Sequence, residues 1–527
     1  MTATLTVPAA RGAPPKDLEV RPKQVKAWSD ALPLAQTVET ARQIRDHLAG
    51  MNSSKVEADD RAQILQHYRP IVSVILEELE AIYAKSGIPL PTRARDALSM
   101  ARDLAAQLAT AYTIAANDKS SKLIAFGAKK QVPFLLLRAT EYLSTVLRAS
   151  YKAYTPVPEG VWRATHEIYL YADAQGFVAE PADPETKASI LELYGEALLL
   201  ALTDPYRLRP GELDRVVAQL RSVKAPVVIG QQKLTTKPAA HFLVPCDTDK
   251  PPKPALSASD DRGGKNWRLL DANPIVEKLR ARKGAFDKGQ VSAAFKQSMG
   301  TDVVVLLPKL ITLWGDPPKR TSRRDAMDTS VAICIGLRAV THYVGLEPRI
   351  DPQAEADRIG QGITIPLISI AQDENSRSFP VNEWEVVNQS VGGLKVRRTA
   401  PALQQVSVGE IVGVKLIGRA RWTIGMVRWI TVLDEGGMEF GIQFISSAAR
   451  QASIRPTISS TELDPKPALI LNEALPWKGG ESLLVSSNTF ADLREFEIED
   501  ADRLFCVRAT NLFEKTGRYE VFEFIPS

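Results

Sequence analysis

Cysteine and histidine are scarce in this sequence. The 527 residues include three cysteines and five histidines. Because Cys246, Cys334 and Cys506 lie far apart and are odd in number, neither a disulfide framework nor a CxxC zinc site is expected. His241 and Cys246 are near one another, but two ligands do not make a metal site. The composition favours a reducing, cytoplasmic compartment and a chain that holds no metal.

Long apolar runs are also missing. The most apolar stretch, residues 303–314, is interrupted by Pro308 and Lys309. It is much shorter than the roughly 20 residues that cross a membrane as a helix. The N-terminal residues MTATLTVPAARGAPPKD lack the apolar centre of a signal peptide. We therefore expect no membrane span.

The sequence has no large excess of positive or negative charge. Lys and Arg total 66 and Asp and Glu total 62, which leaves a formal net charge of +4. This balance gives no global signature of binding to a nucleic-acid polymer, so any anion site must come from local clustering. The sequence also lacks the P-loop, GxSxG and HExxH patterns. The chain is accordingly not expected to be an enzyme.

The N-terminal half has a helical hydrophobic period. Ile64, Tyr68, Ile71 and Ile75 recur at three- and four-residue spacing, which is typical of one face of a helix. The pattern continues to about residue 223, with breaks at prolines. It predicts an all-helical domain, which is either an irregular bundle or a set of hairpins like those of tetratricopeptide repeats.

The C-terminal half has short strand-like runs separated by turn residues. They include residues 303–307, 329–344, 384–388 and 393–398, and further runs continue to residue 525. Many short strands with Gly-rich turns predict a small antiparallel barrel or sandwich. The chain as a whole is therefore expected to be an α+β multidomain protein.

The expected organisation follows from these changes of pattern. It is a flexible tail (1–22), a helical domain (23–223), a mixed α/β connecting segment (224–310), a β-barrel (311–450) and a C-terminal β unit (451–527).

Two local patterns carry chemical information. The first is Lys-Arg-Thr-Ser-Arg-Arg at residues 319–324, the densest basic cluster. Guanidinium groups suit phosphate oxygens and also the O6/N7 edge of guanine. The second is Asn-Gln-Ser-Val-Gly-Gly at residues 388–393, which offers side-chain hydrogen bonds and a close backbone approach. Taken singly, a basic linker is usually solvated and an Asn/Gly segment is usually a plain turn.

Together these patterns resemble the PilZ domain family, whose members are bacterial receptors for cyclic di-GMP. The family pairs an RxxxR motif with a later [D/N]xSxxG motif. Arg320 and Arg324 match the first motif, and Asn388, Ser390 and Gly393 match the second. Further on, GMVRW at 425–429 and FGIQF at 440–444 are similar to later strands of the family. The resemblance covers roughly residues 315–450 and implies an antiparallel six-stranded β-barrel.

The resemblance also implies roles for individual residues. Arg320 and Arg324 are expected to grip phosphate and guanine edges, and Arg323 to add positive charge. Asn388 is expected to hydrogen-bond a guanine or the backbone near it. Ser390 would contact phosphate or base, and Gly393 would supply the backbone geometry. No cofactor is expected other than the ligand itself, cyclic di-GMP.

The function implied is that of a non-catalytic cyclic di-GMP receptor. Binding at the arginine-bearing linker is expected to lock a hinge at residues 310–324 and to change how the helical half meets a protein partner, which the sequence does not identify. Such receptors commonly govern motility, exopolysaccharide production or biofilm formation.

Two alternatives remain. The segment between the motifs is about twice as long as expected for the family, and residues 345–382 look like an insertion. The chain could therefore be a degenerate PilZ-like scaffold that binds no nucleotide. It could also bind RNA or DNA through the basic linker, although the nearly neutral net charge disfavours this.

Two further patterns imitate enzymes of cyclic di-GMP metabolism. Gly-Gly-Met-Glu-Phe at 436–440 resembles the synthase GG[D/E]EF loop but lacks its acidic third residue. Glu-Ala-Leu at 473–475 resembles the phosphodiesterase signature, but too few residues follow it for that large barrel. Neither activity is expected.

Overall fold

The computed structural model of the chain describes residues 4–121, 131–231, 239–255, 266–290, 302–317, 325–347, 378–400, 404–416, 419, 421–433, 436–457, 464–501 and 503–527. The chain forms two compact units, Met1–Ser86 with Leu90–Lys319 and Gly87–Pro89 with Arg320–Ser527. The first unit is mainly helical, and the second is mainly β-structure.

The helical unit confirms the all-helical expectation for the N-terminal half. Its helices are α1 (Pro22–Asp30), α2 (Thr37–Asn52), α3 (Ala58–Tyr83), α4 (Thr92–Ser121), α5 (Val132–Lys152), α6 (Val161–Ala174), α7 (Ile190–Ala201), α8 (Glu212–Val223), α9 (Asn273–Asp287) and α10 (Asp302–Gly315).

Helix α4 is the centre of this unit. It packs against α2, α3 and α5. Its inner face is rich in alanine, and Ala97, Ala101, Ala105 and Ala109 are almost fully buried. Small side chains allow neighbouring helices to approach closely. Packing of several helices around one central helix is typical of a bundle, whereas in a repeat array each hairpin contacts only its neighbours.

A small sheet follows the helices. Its strands are β1 (Val228–Gly230), β2 (His241–Pro245), β3 (Lys253–Pro254) and β4 (Trp267–Asp271), in the antiparallel order β1-β4-β2-β3. A buried polar network ties it to the helices. The His166 imidazole lies 2.7 Å from the Tyr194 hydroxyl and 2.9 Å from the Lys250 carbonyl.

Residues 303–307 form part of helix α10, so the strand expected there is wrong. Leu306, Leu307, Leu310 and Trp314 are buried at three- and four-residue spacing along this helix. The Trp314 indole nitrogen donates to the Leu199 carbonyl at 3.0 Å, which fixes α10 against α7. A short apolar run fits a buried helix as well as a strand, and tertiary packing decides between them.

The second unit begins with a closed six-stranded antiparallel barrel, as the PilZ resemblance implies. Its strands are β5 (Asp325–Ile335), β6 (Val381–Ser390), β7 (Gly393–Arg398), β8 (Ile411–Lys415), β9 (Thr423–Val432) and β10 (Met438–Ser446), in the order β10-β7-β6-β5-β8-β9. Trp384 and Phe440 meet edge to face inside it, with ring centres 4.7 Å apart.

Residues 329–344 do not form one strand. Strand β5 ends at Ile335, and helix α11 (Leu337–Gly345) follows at once. Gly336, with φ at 97°, makes the change of direction, which few other residues could adopt. Most of the expected insertion at 345–382 lies outside the described residues.

The C-terminal β unit is a second closed barrel. Its strands are β11 (Ala449–Pro456), β12 (Lys466–Leu471), β13 (Ser482–Ser486), β14 (Glu495–Asp500), β15 (Arg503–Lys515) and β16 (Tyr519–Pro526), in the order β11-β12-β13-β16-β15-β14. In both barrels the first strand pairs with the second and fourth, the third with the second and sixth, and the fifth with the fourth and sixth. The second barrel thus repeats the topology of the first.

The two barrels share a hydrophobic core. Helix α11 packs against β5 and β8 of the first barrel and against β11 and β12 of the second. Val340, Ile424, Leu469 and Tyr519 belong to one buried cluster that spans both barrels. The two barrels therefore form one compact unit.

We predict that the helical unit loses stability as the pH falls below about 6.5. Burial lowers the pKa of His166 and of His47. The unfolded chain, with histidine pKa values near 6.5, therefore binds more protons than the folded chain below that pH. Thermal melting followed between about pH 7 and pH 5 should show a falling midpoint.

The His166→Gln variant should reduce this pH dependence without removing it, because His47 remains. The His67→Gln variant, at a partly exposed position of α3, is the control and should keep the wild-type slope. Equal slopes in the wild type and His166→Gln would contradict the assignment.

Candidate functional site

The Asn-Gln-Ser-Val-Gly-Gly segment forms the tip of the β6–β7 hairpin. Strand β6 ends at Ser390 and β7 begins at Gly393, so Val391 and Gly392 form the turn. The Ser390 hydroxyl donates to the Gly393 carbonyl at 3.2 Å. The Phe444 backbone N–H donates to the Gly392 carbonyl at 2.9 Å, which holds the tip against β10. Val391 is 96% exposed, so the turn faces solvent.

Gly393 lies where the hairpin crosses closest to its neighbour. A Cβ added there would lie 2.0 Å from the Ile442 carbonyl oxygen in β10. Real Cβ atoms do not approach backbone oxygens this closely, so only glycine fits without a shift of the strand. The family's final glycine is thus required here by packing as well as by any ligand.

Asn388 presents an unsatisfied polar atom. Its side-chain carbonyl oxygen is buried and has no hydrogen-bond partner among the described residues. A β-bulge lies between Val386 and Asn388 in the pairing with β7, and such bulges redirect side chains. A buried acceptor without a partner costs about 1–3 kcal/mol. A cost of this kind is expected where a ligand supplies the missing donor.

A row of four residues crosses the outer surface of the barrel beside Asn388. The strand register pairs Asn388 with Lys395, Lys395 with Gly441, and Gly441 with Trp429. A Cβ on Gly441 would lie 2.0 Å from the Trp429 indole nitrogen, so this ring lies against the glycine. The Lys395 ammonium is 5.8 Å from the centre of the same ring.

The row brings Lys395, Gly441 and Trp429 next to Asn388, which the second motif indicates as a site residue. Trp429 and Gly441 fall in segments matched to the family, but nothing in the sequence marks them as neighbours of Asn388. Their proximity depends on the register of four strands that are far apart along the chain.

The other cations on this surface already have partners. Lys395 and Arg397 bind Glu439 at 2.7 and 2.6 Å. Burial would raise the pKa of Glu439, but the hydrogen bonds from Lys395 and Arg397 outweigh it, so the pKa is lowered. Arg428 bonds to Gln443 and lies 3.9 Å from Glu514 of the second barrel. Much of the positive charge here is therefore neutralised.

Arg320, Arg323 and Arg324 lie outside the described residues. The strand that follows them is described, however. Asp325, the first residue of β5, pairs with Gln389 in β6, and Ala326 pairs with Asn388. Asp325 therefore lies beside the Asn388–Ser390 segment.

The described part of the chain lacks two other features, a group of metal-binding side chains and a membrane-spanning helix. It contains no group of three or more His, Cys, Asp or Glu side chains placed to hold a metal ion. It also contains no helix long and apolar enough to cross a membrane. The GGMEF segment runs into strand β10, and the Glu-Ala-Leu segment lies between β12 and β13.

We predict that Gly393→Ala destabilises the barrel and that Gly392→Ala does not. The first variant places a methyl group against the Ile442 carbonyl, whereas no described atom lies within 4 Å of a Cβ on Gly392. The expected loss for Gly393→Ala is about 1–3 kcal/mol of unfolding free energy, as for overpacking in general. Urea unfolding of the two variants measures it, and equal midpoints would show that the close contact is absent.

Comparison with known proteins agrees with this structure. The model of the N-terminal domain of the cyclic-di-GMP receptor FimW matches residues 23–232. The model of the middle PilZ domain of FimW matches residues 241–350 and 363–450. The gap in this match falls within the expected insertion. Together the two matches cover more than half of the chain.

The cyclic-di-GMP receptor FimW of Pseudomonas aeruginosa is 24% identical over 545 aligned residues, which cover 89% of this chain and 86% of that protein. No solved structure matches the chain. The matched domains, their order and the closed six-stranded barrel show that the chain belongs to the PilZ family, in the FimW-type arrangement of a distinct helical N-terminal domain followed by a PilZ domain.

Proposed function

We propose that this chain is a non-catalytic receptor for cyclic di-GMP. The observation that carries the proposal is the buried, unpartnered carbonyl oxygen of Asn388, which lies beside the strand that follows the arginine segment. The name of the Pseudomonas aeruginosa relative, a cyclic-di-GMP receptor, supports it.

Each part of the ligand has a chemical counterpart in the site. The Asn388 oxygen can accept a hydrogen bond from the N–H groups of a guanine. Arg320 and Arg324 supply guanidinium forks for phosphate oxygens and for the guanine O6/N7 edge, and Arg323 adds positive charge. The Ser390 hydroxyl can turn from the Gly393 carbonyl towards a phosphate or base, since its proton rotates freely.

The Trp429 ring and the Lys395 ammonium extend the site along the barrel surface. A guanine stacked on an aromatic ring gains about 1–3 kcal/mol. Glu439 offsets one of the two positive charges of Lys395 and Arg397. We therefore expect most of the charge that balances two phosphates to come from residues 319–324. The motif arginines are therefore the residues on which affinity should depend most.

We predict that cyclic di-GMP binds the wild type saturably and that Arg324→Ala weakens binding at least tenfold. Loss of a charge-assisted hydrogen bond of about 1.5–3 kcal/mol accounts for this factor. Asn388→Ala should weaken binding too, without loss of stability, because its oxygen has no partner to lose. Calorimetric titration measures all three proteins.

The exposed Arg338 of α11 provides the control, and Arg338→Ala should bind like the wild type. The same titration applied to Trp429→Ala should show about tenfold weaker binding. Trp477→Ala, in the second barrel, is its control. If the wild type does not bind, the scaffold alternative replaces the receptor. Equal affinities of Arg324→Ala and wild type would place the site elsewhere.

The output of binding is part of the same proposal. A ligand held by both the linker arginines and the barrel favours one conformation of the linker at residues 310–324 over others. We propose that this change alters the contact of the helical domain with a protein partner and so regulates motility, exopolysaccharide production or biofilm formation.

We predict that small-angle X-ray scattering of the full chain changes when cyclic di-GMP is added to saturation. A shift in the populations of linker conformations alters the distribution of distances within the chain. Arg324→Ala at the same nucleotide concentration is the control and should scatter as the free protein does. An unchanged profile for a wild type that binds the nucleotide would reject the hinge while leaving the receptor intact.

A further inference from the structure

A cleft in the helical unit lies apart from the PilZ site. It is lined by residues of α3, α5, α7 and α8, with Ala101 of α4 at its floor, and has a volume of about 370 Å³. This volume falls within the range of small-molecule sites, about 300–1,000 Å³. The small alanine side chain leaves the space between α3 and α5 open.

Ser144 lines this cleft and has a hydroxyl group that is buried without a partner among the described residues. Ser144 is only 8% exposed, and its hydroxyl oxygen has no hydrogen-bond partner among the described residues. Many helical serines donate to the carbonyl four residues earlier, as Ser150 of the same helix does to Val146 at 2.9 Å. A buried hydroxyl group without a hydrogen-bond partner at the wall of a cleft suggests that a bound molecule supplies that partner.

Most carboxylates in the wall are already bonded to cations of the protein. Glu80 binds Lys152, Glu141 binds Arg138 at 2.7 Å, and Glu196 binds Arg221 at 3.0 Å. Glu77 is the exception; it is exposed and has no ion pair with another described residue. The side chains of the wall that remain able to bind a ligand are therefore not mainly carboxylates.

Two arginines of the wall can donate further hydrogen bonds. Arg69 of α3 is half-buried and has no ion pair or hydrogen bond with another described residue. Arg148 of α5 makes only long contacts, 4.0 Å to Glu196 and 3.5 Å to the Thr145 hydroxyl. A guanidinium group has five donors, so both can bind a further acceptor.

Two tyrosines add hydroxyl groups to the same wall. Burial raises the pKa of Tyr142 to about 12 and the pKa of Tyr83 still further. Both groups therefore stay protonated near neutral pH and can donate hydrogen bonds. Donors from Arg69, Arg148, Ser144 and the tyrosines favour an acceptor-rich ligand.

We propose that this cleft binds a small anion through its carboxylate or phosphate group. Arg69 and Arg148 would hold the charged group by charge-assisted hydrogen bonds, and the Ser144 hydroxyl would give a further bond. Glu77 at the wall disfavours a second negative group near it and suits a hydroxyl or ammonium group of the ligand instead. The site is independent of the cyclic di-GMP site.

Thermal unfolding of the full chain in the presence of rising inorganic phosphate or lactate, at constant ionic strength, tests the proposal. Inorganic phosphate probes the phosphate source of the anion, and lactate, which has one carboxylate and one hydroxyl group, probes the carboxylate source. We expect at least one of them to raise the melting temperature saturably. The Arg69→Gln/Arg148→Gln variant should weaken that binding at least tenfold, and Ser144→Ala about threefold, as loss of a neutral hydrogen bond allows.

The exposed Arg93 of α4 provides the control, and Arg93→Gln should respond like the wild type. If the double variant melts early without ligand, the two single variants replace it. Absence of a saturable shift with both probes overturns the proposal. An undiminished shift in the folded arginine variants overturns it too, since the anion would then bind elsewhere.

Discussion

The antiparallel pairing of β5 with the end of β6 is the contact on which the rest of the PilZ site depends. It places Asp325 opposite Gln389 and Ala326 opposite Asn388. The close approach of Gly393 to β10 then fixes the position of the β6–β7 hairpin tip relative to β10. Strands β5 and β6 are separated by a long stretch of chain, yet the barrel pairs them directly. The length of the chain between two strands does not set their separation in the barrel, because strand pairing does.

The second barrel shows which features follow from the barrel topology alone. It repeats every strand pairing of the first, but its first strand follows β10 almost directly, with only Ser447 and Ala448 between them. The sequence therefore has no counterpart of the basic segment 319–324 directly before the second barrel. Its outer carboxylates are used for internal pairs, as between Glu495 and Arg508 at 2.6 Å. The repeated fold stabilises the unit through the shared core, whereas the Asn388–Gly393 motif belongs to the first barrel.

The sequence predicted the class of each half and the PilZ motifs because those signals are local. Periodicity marks a helix such as α3, and Asn388 to Gly393 is one continuous hairpin tip. The row from Asn388 to Trp429 was not predictable, since it depends on the register of four strands. The cleft residues Arg69 and Arg148 were not predictable either, because their proximity depends on how separate helices pack. Residues 303–307 were assigned wrongly because a short apolar run has no length or turn signal that separates a strand from a buried helix.

Charge compensation distinguishes the two proposed sites from ordinary polar surface. On the barrel, Glu439 offsets one of the two positive charges of Lys395 and Arg397, and the hydrogen bonds from these two residues lower its pKa, so that the carboxylate stays ionised. These groups position the wall beside Asn388 but have little charge to spare. In the helical cleft three of the four carboxylates are paired with cations, whereas Arg69 has no ion pair with another described residue and Arg148 makes only long contacts. A ligand anion gains most where donors are already desolvated and still have hydrogen-bonding capacity, because the cost of ordering them has already been met on folding. By that criterion the cleft arginines, and not the more numerous paired cations, are the described residues that should recognise anions.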